Sequence, residues 1–130
     1  MKAFLFIFCI SAALASCSKK GVAPVNLVGT WELRHYSGTI AGVNRDVPTG
    51  SGSMLQFKAD STFQHFTNFK ADENGRFRII KNGISWGTER HDAIYLGQGG
   101  DPSFLILKAD SLTIGNTFAD GITALYLRTK

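Results

Sequence analysis

The feature that most constrains this chain is its rhythm: short stretches in which apolar and polar residues alternate, each broken within a few residues by Gly, Asn, Asp or Ser. Alternation at a period of two puts successive side chains on opposite faces of an extended strand, so each stretch offers one face to a core and one to water. Nine such segments are expected, near residues 28–37, 53–58, 62–69, 76–81, 84–89, 93–96, 104–108, 112–116 and 122–128. Asp60-Ser61, Asn74-Gly75 and Asn82-Gly83 are read as reversals between them, because Asn-Gly pairs suit the tight turns of hairpins. Phe57-Lys58-Ala59-Asp60-Ser61 is echoed by Leu107-Lys108-Ala109-Asp110-Ser111, which repeats a turn chemistry and not a functional unit. Fourteen glycines and three prolines spread among these runs argue for many turns and few long helices. The expected fold is all-β, an antiparallel up-and-down barrel of about eight to nine strands, or the same meander packed as a sandwich.

At 130 residues, 44% of them hydrophobic, the chain can bury a core but has no room for a separate cofactor domain. Its start is distinct from the rest. Lys2 precedes twelve residues, Ala3 to Leu14, with no charge among them, and Lys19-Lys20 follow shortly after. A spanning helix needs ~20 apolar residues, so this run has the length of a cleaved signal core. Leu14-Ala15-Ser16-Cys17 resembles the lipobox of bacterial lipoproteins, in which the peptidase cuts before a cysteine that receives diacylglycerol. That resemblance implies a signal peptide over 1–16, lipidation at Cys17 and a tether over 17–26, with the domain at 27–130. It also implies attachment to a bacterial outer membrane, facing periplasm or surface, since Ser18 with no Asp follows the cysteine. Removing Lys2 leaves a mild formal excess of three positive charges, scattered along the domain, so nucleic acid is not an expected partner.

Leu27-Val28-Gly29-Thr30-Trp31 near the domain's start and Arg128 near its end resemble the lipocalin-like pattern. In that superfamily a Gly-x-Trp opens the first strand of an eight-stranded barrel, the Trp plugs the closed end, and an Arg from the last strand lies across it. The resemblance, closest to small lipocalin-like lipoproteins of Gram-negative bacteria, implies that Gly29, Trp31 and Arg128 form a structural plug. Glycine permits the tight bend, and a guanidinium stacks favourably on an indole face.

Strict alternation places Leu33, His35, Leu55, Phe57, Phe63, His65, Phe77, Ile79, Trp86, Ile94 and Phe104 inward. From these, His35, Phe57, Phe63, His65, Phe77 and Trp86 are the expected ligand-facing residues, joined by Arg45 from residues 38–52, a connection without strand pattern that is either a lid or a surface loop. Ile40, Val43 and Asp46 belong to the same expected mouth. The lining fits a small hydrophobic or amphipathic ligand and equally a filled core that serves as a platform for an envelope protein partner. If Tyr126 and Arg128 face inward, Leu125 and Leu127 face out; strands 104–107 and 125–127, apolar on both sides, call for an outer cover. No metal is expected, because His35, His65 and His91 sit on separate segments without ligand spacing. No cofactor or catalytic group is expected either: a Gly-x-Ser-x-Gly elbow is missing, and Gly97 to Pro102 lacks the Lys-Ser/Thr and helix of a phosphate loop.

Overall fold

The computed structural model of the protein describes residues 26–130, which form nine antiparallel strands and, among themselves, no helix. The signal peptide, Cys17 and nearly all of the tether lie outside the described residues. The strands are β1 (Gly29–Gly38), β2 (Val43–Asp46), β3 (Met54–Phe57), β4 (Thr62–Thr67), β5 (Lys70–Trp86), β6 (Glu89–Leu96), β7 (Ser103–Lys108), β8 (Ser111–Gly115) and β9 (Thr123–Arg128). From β3 to β9 each strand pairs with the next, and β1 lies between β3 and β9, which closes an eight-stranded barrel. Closure leaves no open edge on those eight strands. The ninth strand, β2, is an extra one: it pairs Val43–Asp46 with Gly38 to His35, along the part of β1 that runs past β3.

The core follows from which face each strand turns inward. Leu27, Trp31, Leu55, Phe57, Phe63, Phe77, Ile94, Leu105 and Leu112 make one buried cluster. It is concentrated at the end of the barrel where β1 begins and β9 finishes. There Trp31 is fully buried and its indole N–H donates to the Leu27 carbonyl at 2.9 Å. Arg128 is the β9 partner of Trp31, and its guanidinium carbon sits 4.2 Å from the centre of the indole. The same guanidinium donates to the carbonyls of Val28, at 2.9 Å, and Asn26, so it ties the last strand to the segment entering the first. Gly29 makes this approach possible: its φ is +143°, and a Cβ there would stand 2.5 Å from Arg128 Nη1.

Two expected reversals are not turns. Asn74-Gly75 and Asn82-Gly83 both lie within β5, a single strand of 17 residues. The chain instead turns at Asn68-Phe69, where both residues have positive φ, and at Gly87-Thr88, between the paired Trp86 and Glu89. Around Asn82 the β5–β6 register shifts between Ile80 and Ile84; Asn82 has a φ of 48°, its N–H donates to Asp92 Oδ1 at 3.1 Å, and its carbonyl accepts from Arg90. This is a bulge, which an Asn-Gly pair accommodates as readily as a hairpin.

A bulge and the misread reversal at Asn82-Gly83 explain two errors of facing. Leu33 pairs with Tyr126 but His35 pairs with Leu125, because Arg34 is an extra residue in the β1–β9 ladder. One extra residue exchanges the faces of everything beyond it. His35 therefore turns outward, beside its β2 partner Asp46, with 2.7 Å between Nδ1 and Oδ1. Trp86 has the outward parity of Ile80 on a β5 that runs through Asn82-Gly83, because the irregularity sets three residues between Ile80 and Ile84 against Asp92 alone and so keeps the facing. The end of the β5–β6 hairpin folds over the outside of β7, where Trp86 stacks on Phe104 at 4.4 Å and 19°. Phe104 is thus buried on the outer face of the barrel and not in its interior, since its neighbour Leu105 belongs to the inner cluster. The outer cover expected for that strand comes from the chain itself.

Candidate functional site

The barrel is filled at one end and open at the other. A cavity of about 250 Å³ occupies the half where β4–β5, β6–β7 and β8–β9 connect. Its apolar wall is built by Leu55, Phe63, Leu96, Ile114 and Ala124, with Ile122 from the loop before β9. Register accounts for the gathering: Ile114 pairs with both Leu105 and Ala124, and Tyr126 with both Leu33 and Leu112, so these side chains share the inner face. Tyr126 faces in, as does Arg128, while Leu127 is exposed.

Polar groups enter the cavity from His65, Glu73, Ser103, Asn116 and Tyr126. His65 and Glu73 are Cα partners across β4 and β5, which puts both on the inner face. Asp72, the extra residue of a bulge in that ladder, holds His65 from the side: His65 Nδ1 lies 2.7 Å from Asp72 Oδ1, and Thr67 Oγ1 donates to Oδ2 at 2.6 Å. The Thr67 hydroxyl, followed by the His65 bond, keeps the Asp72 carboxyl below its ordinary value. An ionised carboxylate only accepts, so Nδ1 carries the proton and, in a neutral imidazole, Nε2 is left as an acceptor. Glu73 has no hydrogen bond or ion pair to another described residue. Neither does the Tyr126 hydroxyl; burial pushes that phenol up to about 12.

Of the residues expected to face a ligand, the structure brings Phe63 and His65 to the cavity and leaves the others elsewhere. Phe57 and Phe77 pack edge to face, 4.9 Å apart at 78°, in the filled half. His35 and Trp86 are on the outer face for the reasons given above. Arg45 is exposed on β2, and Ile40 is 91% exposed. The connection they belong to does not line the cavity. It contains β2, and its second half is fastened to β1: Gly50 N–H donates to Glu32, and Arg34 donates to Thr49. Gly52 carbonyl, in addition, accepts from Phe69 N–H at 3.0 Å.

Glu73, Ser103, Asn116 and Ala124 were missed by sequence reasoning. Glu73 was hidden by the reading of Asn74-Gly75 as a turn. Ala124 carried a usable signal, as it shares the parity of Tyr126. The histidines are dispersed, His35 against Asp46, His65 against Asp72 and His91 3.8 Å from Glu89. Among the described residues no three His, Cys, Asp or Glu side chains are grouped as a metal site would require. No protein-family model, curated protein sequence or solved structure matches this chain. The class defined here is therefore that of the fold alone, a lipocalin-like β-barrel with one filled and one open half.

Proposed function

We propose that this protein is a lipid-anchored protein of the bacterial envelope that holds a small hydrophobic or amphipathic molecule in the open half of its barrel. The observation that carries the reading is the cavity itself: an apolar wall with a few converging polar groups, among them a half-buried phenol whose hydroxyl bonds to no other described residue. An apolar lining with a few convergent polar groups is what small-molecule sites present. The volume sets the scale. A cavity of about 250 Å³ suits a compact molecule. The anchoring part of the proposal rests on Leu14-Ala15-Ser16-Cys17.

Native mass spectrometry of the full chain, produced in a Gram-negative envelope and extracted in mild detergent, tests both parts. A diacylglycerol mass on Cys17 and an organic molecule released on denaturation are the expected results. The control is a Leu96→Phe variant prepared in the same way, whose cavity is reduced. Equal release from both proteins overturns the ligand site, and an unmodified Cys17 with the signal retained overturns the anchor.

A second reading has its own observation. Trp86 is 45% exposed and Ile80 39% exposed on the outer face, beside the buried Phe104. Such a ledge suits contact with an envelope protein, in which case the barrel is a platform. Loss of co-purifying protein on Trp86→Ala, with cavity binding absent in the wild type, would favour it.

A further inference from the structure

The open half carries a charge asymmetry that specifies more than apolar character. Of the side chains lining the cavity one, Glu73, is a carboxylate, and none is Lys or Arg. Glu73 is exposed, open to water as well as to the cavity, and its side chain has no ion-pair or hydrogen-bond partner among the described residues, whereas its neighbour Asp72 is held by His65 and Thr67. Directly across the strand pair stands His65, with Nδ1 committed to Asp72 and Nε2 available. The Glu73 carboxylate and the His65 ring therefore face the same space from adjacent positions. The Tyr126 and Ser103 hydroxyls can complete a donor-rich head group from the other side, because a hydroxyl both donates and accepts.

Resting on the reading of this cavity as a ligand site, we infer that its ligand is a small organic amine, its ammonium on Glu73 and His65 and its apolar body against Phe63 and Leu96. An ammonium supplies up to three donors and a positive charge, which suit a carboxylate that has no cationic partner among the described residues. A carboxylate head, such as that of a fatty acid, would meet Glu73 with like charge and find neither Lys nor Arg in the wall. The ring of Phe63 and the modest volume select a compact aromatic or branched body.

Isothermal titration of the full chain at pH 7 with three probes that share a phenylethyl group tests the inference: 2-phenylethylamine, 2-phenylethanol and 3-phenylpropanoate. The amine should bind at least about tenfold more tightly than the other two, and Glu73→Gln, nearly the same shape, should remove that preference while leaving the alcohol's affinity in place. Equal binding of all three probes, or a preference for 3-phenylpropanoate, overturns the amine while the ligand site stands. Failure of every probe to bind, in the wild type and in the cavity-reduced Leu96→Phe variant alike, overturns the site itself.

Discussion

The two halves of the barrel are made by the same strands, yet one is packed solid and the other holds a cavity. In the half around Trp31 the inward positions are taken by large side chains, with Phe57, Phe77, Leu105 and Leu112 interlocked beneath the indole. In the half around Tyr126 the same strands present Ala124, Ser103, Asn116 and Glu73. An eight-stranded barrel has an interior just wide enough for side chains to fill or for one small ligand to occupy, so the choice is made by residue size, position by position. Phe63 and Leu55 belong to both regions and form the floor between them. The difference teaches that stability and recognition are separated along the barrel axis: the filled half keeps the strands together, and the open half is free to carry polar groups that a packed core would exclude.

The sharpest way to break this contrast is to empty the filled half. Trp31→Ala removes a fully buried indole together with the surface on which Arg128 stacks, and a loss of ~3–5 kcal/mol in urea unfolding is expected. Phe57→Ala should cost a similar amount, since the ring is 1% exposed. A loss below ~1 kcal/mol for Trp31 would mean that this end is not the one that holds the barrel shut.

Titration of Tyr126 tests the open half from the other side. Its folded value is raised from 10.0 to about 12 because burial disfavours the phenolate. Above pH 10 the unfolded chain releases this proton and the folded chain retains it, so the folded state binds more protons and stability falls as pH rises. The contribution is fully present below pH 10 and lost between pH 10 and 12, and a difference of that size corresponds to roughly 2–3 kcal/mol. Urea unfolding at pH 9, 10, 11 and 12 should show the decline, and Tyr126→Phe should flatten it. An unchanged slope in the variant would place the phenol in contact with bulk water.

Matched enlargements sharpen the comparison further. Leu112→Phe, at a position 0% exposed in the filled half, should overpack it and cost ~1–3 kcal/mol. Leu96→Phe adds the same atoms beside the cavity, where they have room, and should change stability by less than ~1 kcal/mol while weakening any bound molecule. Equal costs at the two positions would argue that the cavity closes in solution.

What the sequence reveals and what it hides divide along similar lines. Gly29, Trp31 and Arg128 are legible because each residue type has a distinct physical use at the closed end: a close approach, a large buried ring and a planar cation. The all-β architecture is legible from alternation alone. Facing is not, wherever an extra residue enters a ladder. Arg34 looks like an ordinary member of its strand, and only the partner strand shows that the count has slipped. Trp86 is misplaced for another reason, the reading of Asn82-Gly83 as a reversal that β5 runs through. Asn74-Gly75 misleads for a related reason. Gly75 is there because Phe63 lies across it, 3.1 Å from where a Cβ would be, and not because the chain turns. The actual turn puts Phe69 at a φ of 64°, a conformation no propensity would assign to phenylalanine. Errors at Asn74 and Arg34 then propagate to the site, concealing Glu73 and placing His35 inside.

A modest effect is expected outside both halves, and it decides whether the outer ledge belongs to the fold or to a partner. Trp86 is nearly half exposed, but the face it turns to the barrel stacks on Phe104, with His91 6.0 Å away from both rings. Stacked aromatic pairs contribute ~0.5–1.5 kcal/mol beyond the area they bury, so Trp86→Ala should cost about 1–2 kcal/mol in urea unfolding. Hydrogen exchange separates the possibilities: faster exchange confined to the β5–β6 hairpin and β7 is the expected outcome, with cavity binding unchanged. If the substitution leaves stability and exchange untouched, the indole contributes nothing to the isolated barrel, and its retention on an otherwise polar hairpin end is better explained by a surface that meets another protein.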